Sequence, residues 1–397
     1  MKRYDFVIIG SGIIGLTIAH AIKSRQPNAS ILIIDKEQQE AAHASGRNSG
    51  VLHTGFYYTA DSLKAKFTID GNNAMKAYVR SRGLTMNECG KLVVAQNEGE
   101  LGQLDELLRR GQNNGSNVCL VDESKARELE PNVKTYKRAL YSPDTASVDP
   151  KQVCHRLRED LLIQAVDFSY ETKYLGHQGS VMKTSKGDFE AGKMISCAGL
   201  YADKIAQDFG FGKQYTMIPF KGLYLKYTKN KTDVKMNIYP VPNLNNPFLG
   251  VHYTKTVDGD IKIGPTAIPA FWRENYEAAA GFNLSELSEV LFFESQLFFK
   301  NAFGFRQLAF EESRKYNKNY FVSLAQAMVQ DIDPAGFTQW TKPGIRAQLL
   351  NKETLSLVQD FVVEGDDKSV HVLNAVSPAF TCSFVFSKYV VDQYVFI

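Results

Sequence analysis

The 397-residue sequence has only five cysteines, Cys89, Cys119, Cys154, Cys197 and Cys382, and no two of them form a C-x-x-C pair. That scatter argues against a disulfide framework, a zinc knuckle or a dithiol redox centre, so a reducing compartment and no bound metal are expected. No apolar run reaches the roughly 18 residues that a membrane-spanning helix needs. Nor is there a lysine- or arginine-rich tract: 46 basic against 43 acidic residues leave a net charge of only +3. A nucleic-acid partner is therefore not expected, and a small anionic ligand suits the mild basicity better. Internal repeats and low-complexity segments are missing too. A core-type strand, YDFVIIG, begins within a few residues of Met1 and leaves no room for a signal or transit peptide, so a cytoplasmic location is expected. With 44% hydrophobic residues, the chain is long enough to fill two or three domains.

The first forty residues are rich in pattern. FVIIGSGIIGLTIAHAIKSRQPNASILIIDK reads as a buried strand, a glycine turn, a helix ending near Pro27 and a second buried strand finishing at Asp35. Gly10, Gly12 and Gly15 supply G-x-G-x-x-G: the first for a tight turn, the second for close approach of a pyrophosphate, the third for helix-on-strand packing. Ile13 and Ile14 open the helix whose free N–H groups and dipole would hold the phosphates. Asp35, about 20 residues beyond Gly15 and followed by Lys36, stands where a carboxylate accepts hydrogen bonds from a ribose.

FAD and NAD both fit this unit, and the next stretch separates them. A nicotinamide dehydrogenase completes its site with further regular βα units, whereas here the alternation stops at Asp35. HASGRNSGVLHTGFYY (His43 to Tyr58) takes their place, a loop of small polar residues with two histidines and two tyrosines and no acid. Ser45, Gly46, Asn48, Ser49 and Gly50 form a turn suited to the second phosphate and ribityl chain of a flavin. Two later stretches look like returns to the same domain: a strand leading to a turn at Gly199, and SVHVLNAVSPAFT, where Ser377 and Pro378 are favoured as cap and first helical residue and Ala379 follows.

Taken in order, GSGIIG, SGRNSGVLHTGFYY, GKLVVA, PFLGVHYT, IGPTAIPAFWRENY, GIRAQLL and HVLNAVSP resemble the L-2-hydroxyglutarate oxidase/dehydrogenase family, one of the D-amino-acid-oxidase-like flavoproteins. The resemblance covers nearly the whole chain and fades between Asn283 and Asp333. It implies FAD on the opening glycines, the SGRNSG loop and the NAVSPA turn, and an oxidised carbon near His53 and GVHYT. One departure stands out. Relatives commonly read PFRGEYY where this chain has PFKGLYL, so Lys221 replaces an arginine and Leu223 an acid, and arginine-to-lysine is not conservative where a carboxylate is held by two hydrogen bonds.

Oxidising a 2-hydroxy acid requires a base for the hydroxyl proton, and neutral imidazole is the natural one at physiological pH. His53 and His252 have glycine neighbours that leave space beside the ring, whereas His20 falls inside the first helix and His155 in a charged helical stretch. Both carboxylates of a diacid need cations or several donors. Arg346 and Arg273 are the leading candidates, with Lys221, Tyr57, Tyr253 and Thr254 in support. Quinone or O2 would take the electrons. The rival readings are an enzyme of the same fold acting on an amino acid or glycerol 3-phosphate, and a flavin-binding redox sensor without turnover.

The expected fold is α/β: a discontinuous Rossmann-like FAD-binding domain (1–80, 142–210 and 335–397) and an α+β substrate domain (81–141 and 211–334) with a mainly antiparallel sheet. VDGD is a hairpin signal within that sheet. A helical, aromatic-rich insertion is expected at about 283–330. At helical spacing Leu287, Leu291, Phe298, Phe305 and Leu308 share one face, and Phe292, Phe299, Phe303 and Phe310 nearly the opposite one. Burial of both faces is the plainer expectation. Reversible docking of the phenylalanine face on the cytoplasmic side of a membrane, beside Lys300, Arg306 and Arg314, is the alternative.

Overall fold

The computed structural model describes residues 1–243 and 249–396. Pro247 and Phe248, which open the PFLGVHYT motif, lie outside the described residues.

Five parallel strands form the centre of one sheet, in the spatial order Asp167–Ser169, Ile31–Ile34, Lys2–Ile9, Phe189–Ser196 and Ser369–Asn374. Three of them, Lys2–Ile9, Ile31–Ile34 and Ser369–Asn374, are rich in Val, Ile and Leu because both faces of the sheet are covered. The helices Ile13–Arg25, Leu63–Ser81, Pro150–Ile163 and Ala379–Val390 contribute to one continuous core with them. This is the expected Rossmann-like unit, assembled from separate stretches of chain. Antiparallel strands extend it at Tyr174–Gln178, Val181–Thr184 and Val362–Gly365.

A second sheet of eight strands is mainly antiparallel, as expected. Its order runs from Phe337–Trp340 through Leu225–Tyr227, Ile261–Gly264, His252–Lys255, Asn237–Pro240, Lys91–Val94 and Arg138–Ser142 to Cys119–Asp122. The one parallel pair joins Asn237–Pro240 to Lys91–Val94. The VDGD turn closes its hairpin: the Thr256 N–H donates to the Asp260 carbonyl at 2.9 Å, and the Thr256 hydroxyl accepts from the Asp260 N–H at 3.0 Å. Phe337–Trp340 corrects one boundary, since this strand, expected in the dinucleotide domain, hydrogen-bonds to Leu225–Tyr227 in the second sheet. A smaller sheet pairs Tyr215–Gly222 with Gly344–Asn351 along eight residues and links the two regions.

The aromatic insertion is two helices, Leu284–Lys300 and Phe305–Arg314. Asn283 caps the first by accepting from the N–H groups of Ser285 and Glu286. Left-handed Asn301 and Gly304 break the helix between them, so each helix takes its own rotation. The face that packs inward is therefore Val290, Phe293, Leu297, Phe305 and Leu308. Leu291, expected inside, is 44% exposed. The expected burial of the second face is also corrected: Phe292, Phe299, Phe303 and Phe310 are 58, 75, 40 and 63% exposed. Among the described residues no helix is long and apolar enough to cross a membrane.

Candidate active site

The glycine turn is built as its spacing requires. Gly10 adopts φ +105°, and a Cβ there would lie 2.5 Å from the Cys197 carbonyl oxygen; one on Gly15 would lie 2.0 Å from the Gly10 carbonyl oxygen. Gly12 faces Ser45, whose hydroxyl accepts from the Ile13 N–H at 2.9 Å. The SGRNSG loop thus folds back onto the first helix N-terminus. Asn48 holds that loop closed, donating to the Ala44 and Ser45 carbonyls and accepting from the Gly50 N–H. Asp35 accepts from the Ser11 N–H at 2.8 Å, the Ser11 hydroxyl at 2.6 Å and the Glu37 N–H at 3.0 Å. Its carboxylate therefore fixes the glycine turn in addition to its expected role on a ribose.

A cavity of about 940 Å³ runs from this turn to the second sheet. Gly10, Gly12, Ile13, Ile14, Asp35, Lys36, Ser45, Asn48, Ser49, Gly199, Ser377, Pro378 and Ala379 line it, as do His53, His252 and Arg346. Gly15, Gly46 and Gly50 stand behind the wall, where Cβ atoms would strike backbone carbonyls. At the far end the helix begins at Ala379 with Pro378 at the cap position, one residue later than the expected Ser377 cap. The open helix N-terminus at Ile13, the polar loop against it, the acid at the second strand end and a second helix start at Ala379 suit a dinucleotide with a flavin. FAD fits these residues.

The two histidines differ in detail. His252 donates from Nδ1 to the Gly250 carbonyl at 2.9 Å and stacks on Tyr239, ring centroids 3.7 Å apart. Burial pushes its pKa down to about 3, with Lys91 adding to the effect. His53 is buried too, and burial, Lys91 and His252 together hold its pKa well below the ordinary value. Both imidazoles are neutral at physiological pH. Of the other candidates, His20 packs edge-on against Phe384 and His155 pairs with Glu40 on the surface, as structural and solvated residues do.

Arg346 lies on the cavity wall, donating from Nε to the Gln348 side chain at 3.1 Å; burial lowers its pKa to about 10, opposed by nearby Tyr58. Five expected substrate contacts are corrected, two of them, Lys221 and Tyr253, by strand alternation. Phe220 and Gly222 line the cavity, so Lys221 between them points to the other face and donates to Asn275 at 3.2 Å. Tyr253 likewise alternates with His252 and packs into the core against Phe337. Thr254 is buried behind the wall. Arg273 is fully buried in a two-pronged ion pair with Asp203, at 2.6 and 2.8 Å, and does not reach the cavity. Tyr57 also falls behind the wall, against Phe56 and Lys91.

Sequence reasoning passed over Lys91, Tyr224 and Tyr239. Lys91 is the one charged residue in the apolar strand KLVVA, a signal that was available. Tyr224 and Tyr239 line the cavity from the second domain and carried no local signal. At the mouth, Glu37, His43 and Glu274 bring ligand-type atoms within 4.8 Å of one another. The Lys36 ammonium already bridges the two carboxylates at 2.5 Å each, so a cation is present there without a metal.

The sequence matches the family described as FAD dependent oxidoreductase over residues 5–393. It is 36% identical to an L-2-hydroxyglutarate dehydrogenase of Indibacter alkaliphilus, across 96% of each chain. It is 34% identical to the mitochondrial L-2-hydroxyglutarate dehydrogenase of Nematostella vectensis, across 99% of this chain and 90% of that one. In fold it resembles the dithionite-reduced, FAD-bound L-α-glycerophosphate oxidase of Mycoplasma pneumoniae, with TM-score 0.77 and 21% identity over 100% of this chain and 96% of that one.

Proposed function

This chain belongs to the FAD-dependent oxidoreductase family that includes the L-2-hydroxyglutarate dehydrogenases, and from that premise we propose that it oxidises L-2-hydroxyglutarate to 2-oxoglutarate. The observation that carries the reading is one cavity that joins a dinucleotide cradle to two neutral histidines and an arginine. Gly10, Gly12, Ile13, Ile14, Asp35, Ser45, Asn48, Ser49, Gly199 and Ala379 would hold FAD, in a domain that takes most of 1–80, 142–210 and 341–397. FAD, when bound, supplies the acceptor for the hydride from C2.

The chain's own groups do the rest. Arg346 attracts a substrate carboxylate into a buried site, where a charge-assisted pair gains strength from the low dielectric. A neutral imidazole accepts the hydroxyl proton, and burial of both His53 and His252 keeps that acceptor unprotonated. Phe220, Tyr224, Tyr239 and Leu249 crowd the same wall and exclude water from it.

The decisive test is anaerobic addition of L-2-hydroxyglutarate to the purified FAD-loaded protein. Bleaching of the flavin with stoichiometric 2-oxoglutarate is expected. Faster bleaching by glycerol 3-phosphate or an amino acid would reassign the substrate, and no bleaching by any of them would favour a non-catalytic flavoprotein.

The exposed stripe of Phe292, Phe299, Phe303 and Phe310 supports a further part of the reading: reversible docking on an anionic membrane surface, with quinone as electron acceptor. Lys300, Arg306 and Arg314 are exposed beside it, which suits lipid headgroups.

A further inference from the structure

Lys91 is the least expected side chain near the cavity. It starts the strand Lys91–Val94 in the middle of the second sheet and is completely buried. Among the described residues no carboxylate meets it. Its ammonium stands 4.3 Å from the Tyr239 ring centroid, 5.3 Å from that of Tyr57 and 5.5 Å from that of Phe56. Aromatic faces attract a cation, but they do not satisfy its N–H donors. Among the described residues, its one hydrogen-bond partner is His53 Nδ1, at 3.4 Å.

With Lys91 as an ammonium, the chemistry of the two groups fixes the direction of that contact. An ammonium has three donors and no lone pair, so Nδ1 of His53 accepts, and the proton of the neutral ring sits on Nε2. His252 is pinned the opposite way. The Gly250 carbonyl can only accept, so Nδ1 of His252 carries the proton and its Nε2 presents a lone pair. Two histidines on one cavity are thus held in opposite tautomers, one offering an N–H and the other a base. A 2-hydroxy acid needs that pair: its C1 carboxylate requires a donor and its C2 hydroxyl an acceptor.

We infer that Lys91 is a positioning residue that fixes His53 as an Nε2–H donor to the substrate C1 carboxylate, which leaves His252 Nε2 as the base that takes the C2 hydroxyl proton. The inference rests on the proposed oxidation of L-2-hydroxyglutarate and deepens it. FAD, when bound, would supply the oxidant that takes the C2 hydride, and the hydroxyl proton would end on His252.

The groups facing Lys91 bear on its charge. Burial lowers its pKa to about 7, and Cys89 works in the opposite direction. His53 and His252 are the other titratable groups it influences, while Tyr57 and Tyr239 stay protonated because burial raises their pKa values. The ammonium and the His53 contact are therefore favoured below neutrality, and binding of an anionic substrate extends them upward in pH.

The test uses the FAD-loaded full-length protein with 15N-labelled histidine. In wild type at pH 6.5, NMR should find His53 protonated on Nε2 and His252 on Nδ1. Lys91→Met removes the donor and should give His53 a mixture of tautomers while His252 is unchanged. In anaerobic stopped-flow, half-saturation by L-2-hydroxyglutarate should rise about tenfold or more and the limiting reduction rate should change less; Lys91→Gln, which keeps an N–H donor, should recover much of the loss. Because the ammonium has no anion, Met should hold or raise Tm, whereas a merely structural lysine would lower it. His53 carrying Nδ1–H in wild type would overturn the inference, as would an unchanged tautomer and half-saturation in Lys91→Met. If Lys91→Met does not fold, the wild-type tautomers and Lys91→Gln decide. If L-2-hydroxyglutarate bleaches none of these proteins, the proposed substrate fails while the tautomers still test Lys91.

Discussion

Arg346 and Arg273 carry the same side chain and meet opposite fates, and the difference is the partner each finds. Arg273 is closed off by Asp203, with the Leu200 carbonyl as a further acceptor, so nothing is left for a ligand. Arg346 reaches the cavity from the strand Gly344–Asn351 with a neutral amide, Gln348, on its Nε. A substrate carboxylate entering that cavity would meet the Arg346 guanidinium on its wall, whereas Arg273 lies outside it. Arg346→Gln should therefore raise half-saturation by L-2-hydroxyglutarate roughly 10- to 100-fold, equivalent to about 1.5–3 kcal/mol, while FAD stays bound. Arg346→Lys should recover only part of this, because a point charge does not reproduce the two-pronged fork. Anaerobic flavin-reduction titrations measure both, and an Arg346→Gln protein with unaltered half-saturation would remove this residue from the site.

At the scale of elements, the helix pair Leu284–Lys300 and Phe305–Arg314 is the part that most departs from a closed globular surface. The break at Asn301–Gly304 lets both helices turn one set of phenylalanines inward and another outward. Arg306 also ties them together, its Nε and Nη2 donating to the Phe298 and Phe299 carbonyls. Vesicles of anionic phospholipid should bind the wild-type protein, and the double change Phe299→Ser and Phe303→Ser should weaken binding on the order of tenfold or more, since each ring buries a large apolar area. Added salt should weaken it further through Lys300, Arg306 and Arg314. Flavin reduction by substrate in solution should not change. Equal co-sedimentation of both proteins would leave the stripe without a membrane role.

What could be read from the sequence divides along the same line between local and long-range structure. The glycine turn, the Asp35 strand end, the VDGD hairpin and the polar SGRNSG loop obey rules that act over a few residues, and each is found as expected. Lys221, Tyr253 and Arg273 were misplaced because their facing depends on strand register and on Asp203, about 70 positions away from Arg273. His53 and Lys91 meet across 38 positions, and nothing local announces the pair. The phenylalanine stripe had the right membership but the wrong environment, since periodicity defines a face without saying what covers it.

For the whole molecule, the buried histidines make stability fall as pH falls, in a window where the buried acid Glu294, its pKa raised by burial to about 8, works in the opposite direction. His371 does not line the cavity and is 1% exposed, between the rings of Phe209 and Phe211, with Nε2 at 3.0 Å from the Ser369 hydroxyl. Burial lowers its pKa to about 4, with His177 adding to the shift and Asp366 opposing it. Its unfolded value is about 6.5, so between pH 6.5 and 4 the unfolded chain holds a proton that the folded protein does not. Stability contributed by this neutral histidine is complete above pH 6.5 and is lost as pH falls through that window, at up to about 1.4 kcal/mol per pH unit. Carboxylates in the unfolded chain titrate near 4 and Glu294 works the other way, so the decline between pH 6.5 and 5 belongs to histidines. His371→Phe removes the titrating group and keeps an aromatic ring in the stack. Its Tm at pH 7.5 should lie close to that of the wild type or slightly below, for the lost Ser369 contact, and its fall between pH 6.5 and 5 should be visibly shallower. Calorimetry of the FAD-loaded proteins across that range measures the two slopes, and parallel curves would show that His371 does not stay neutral in the folded protein.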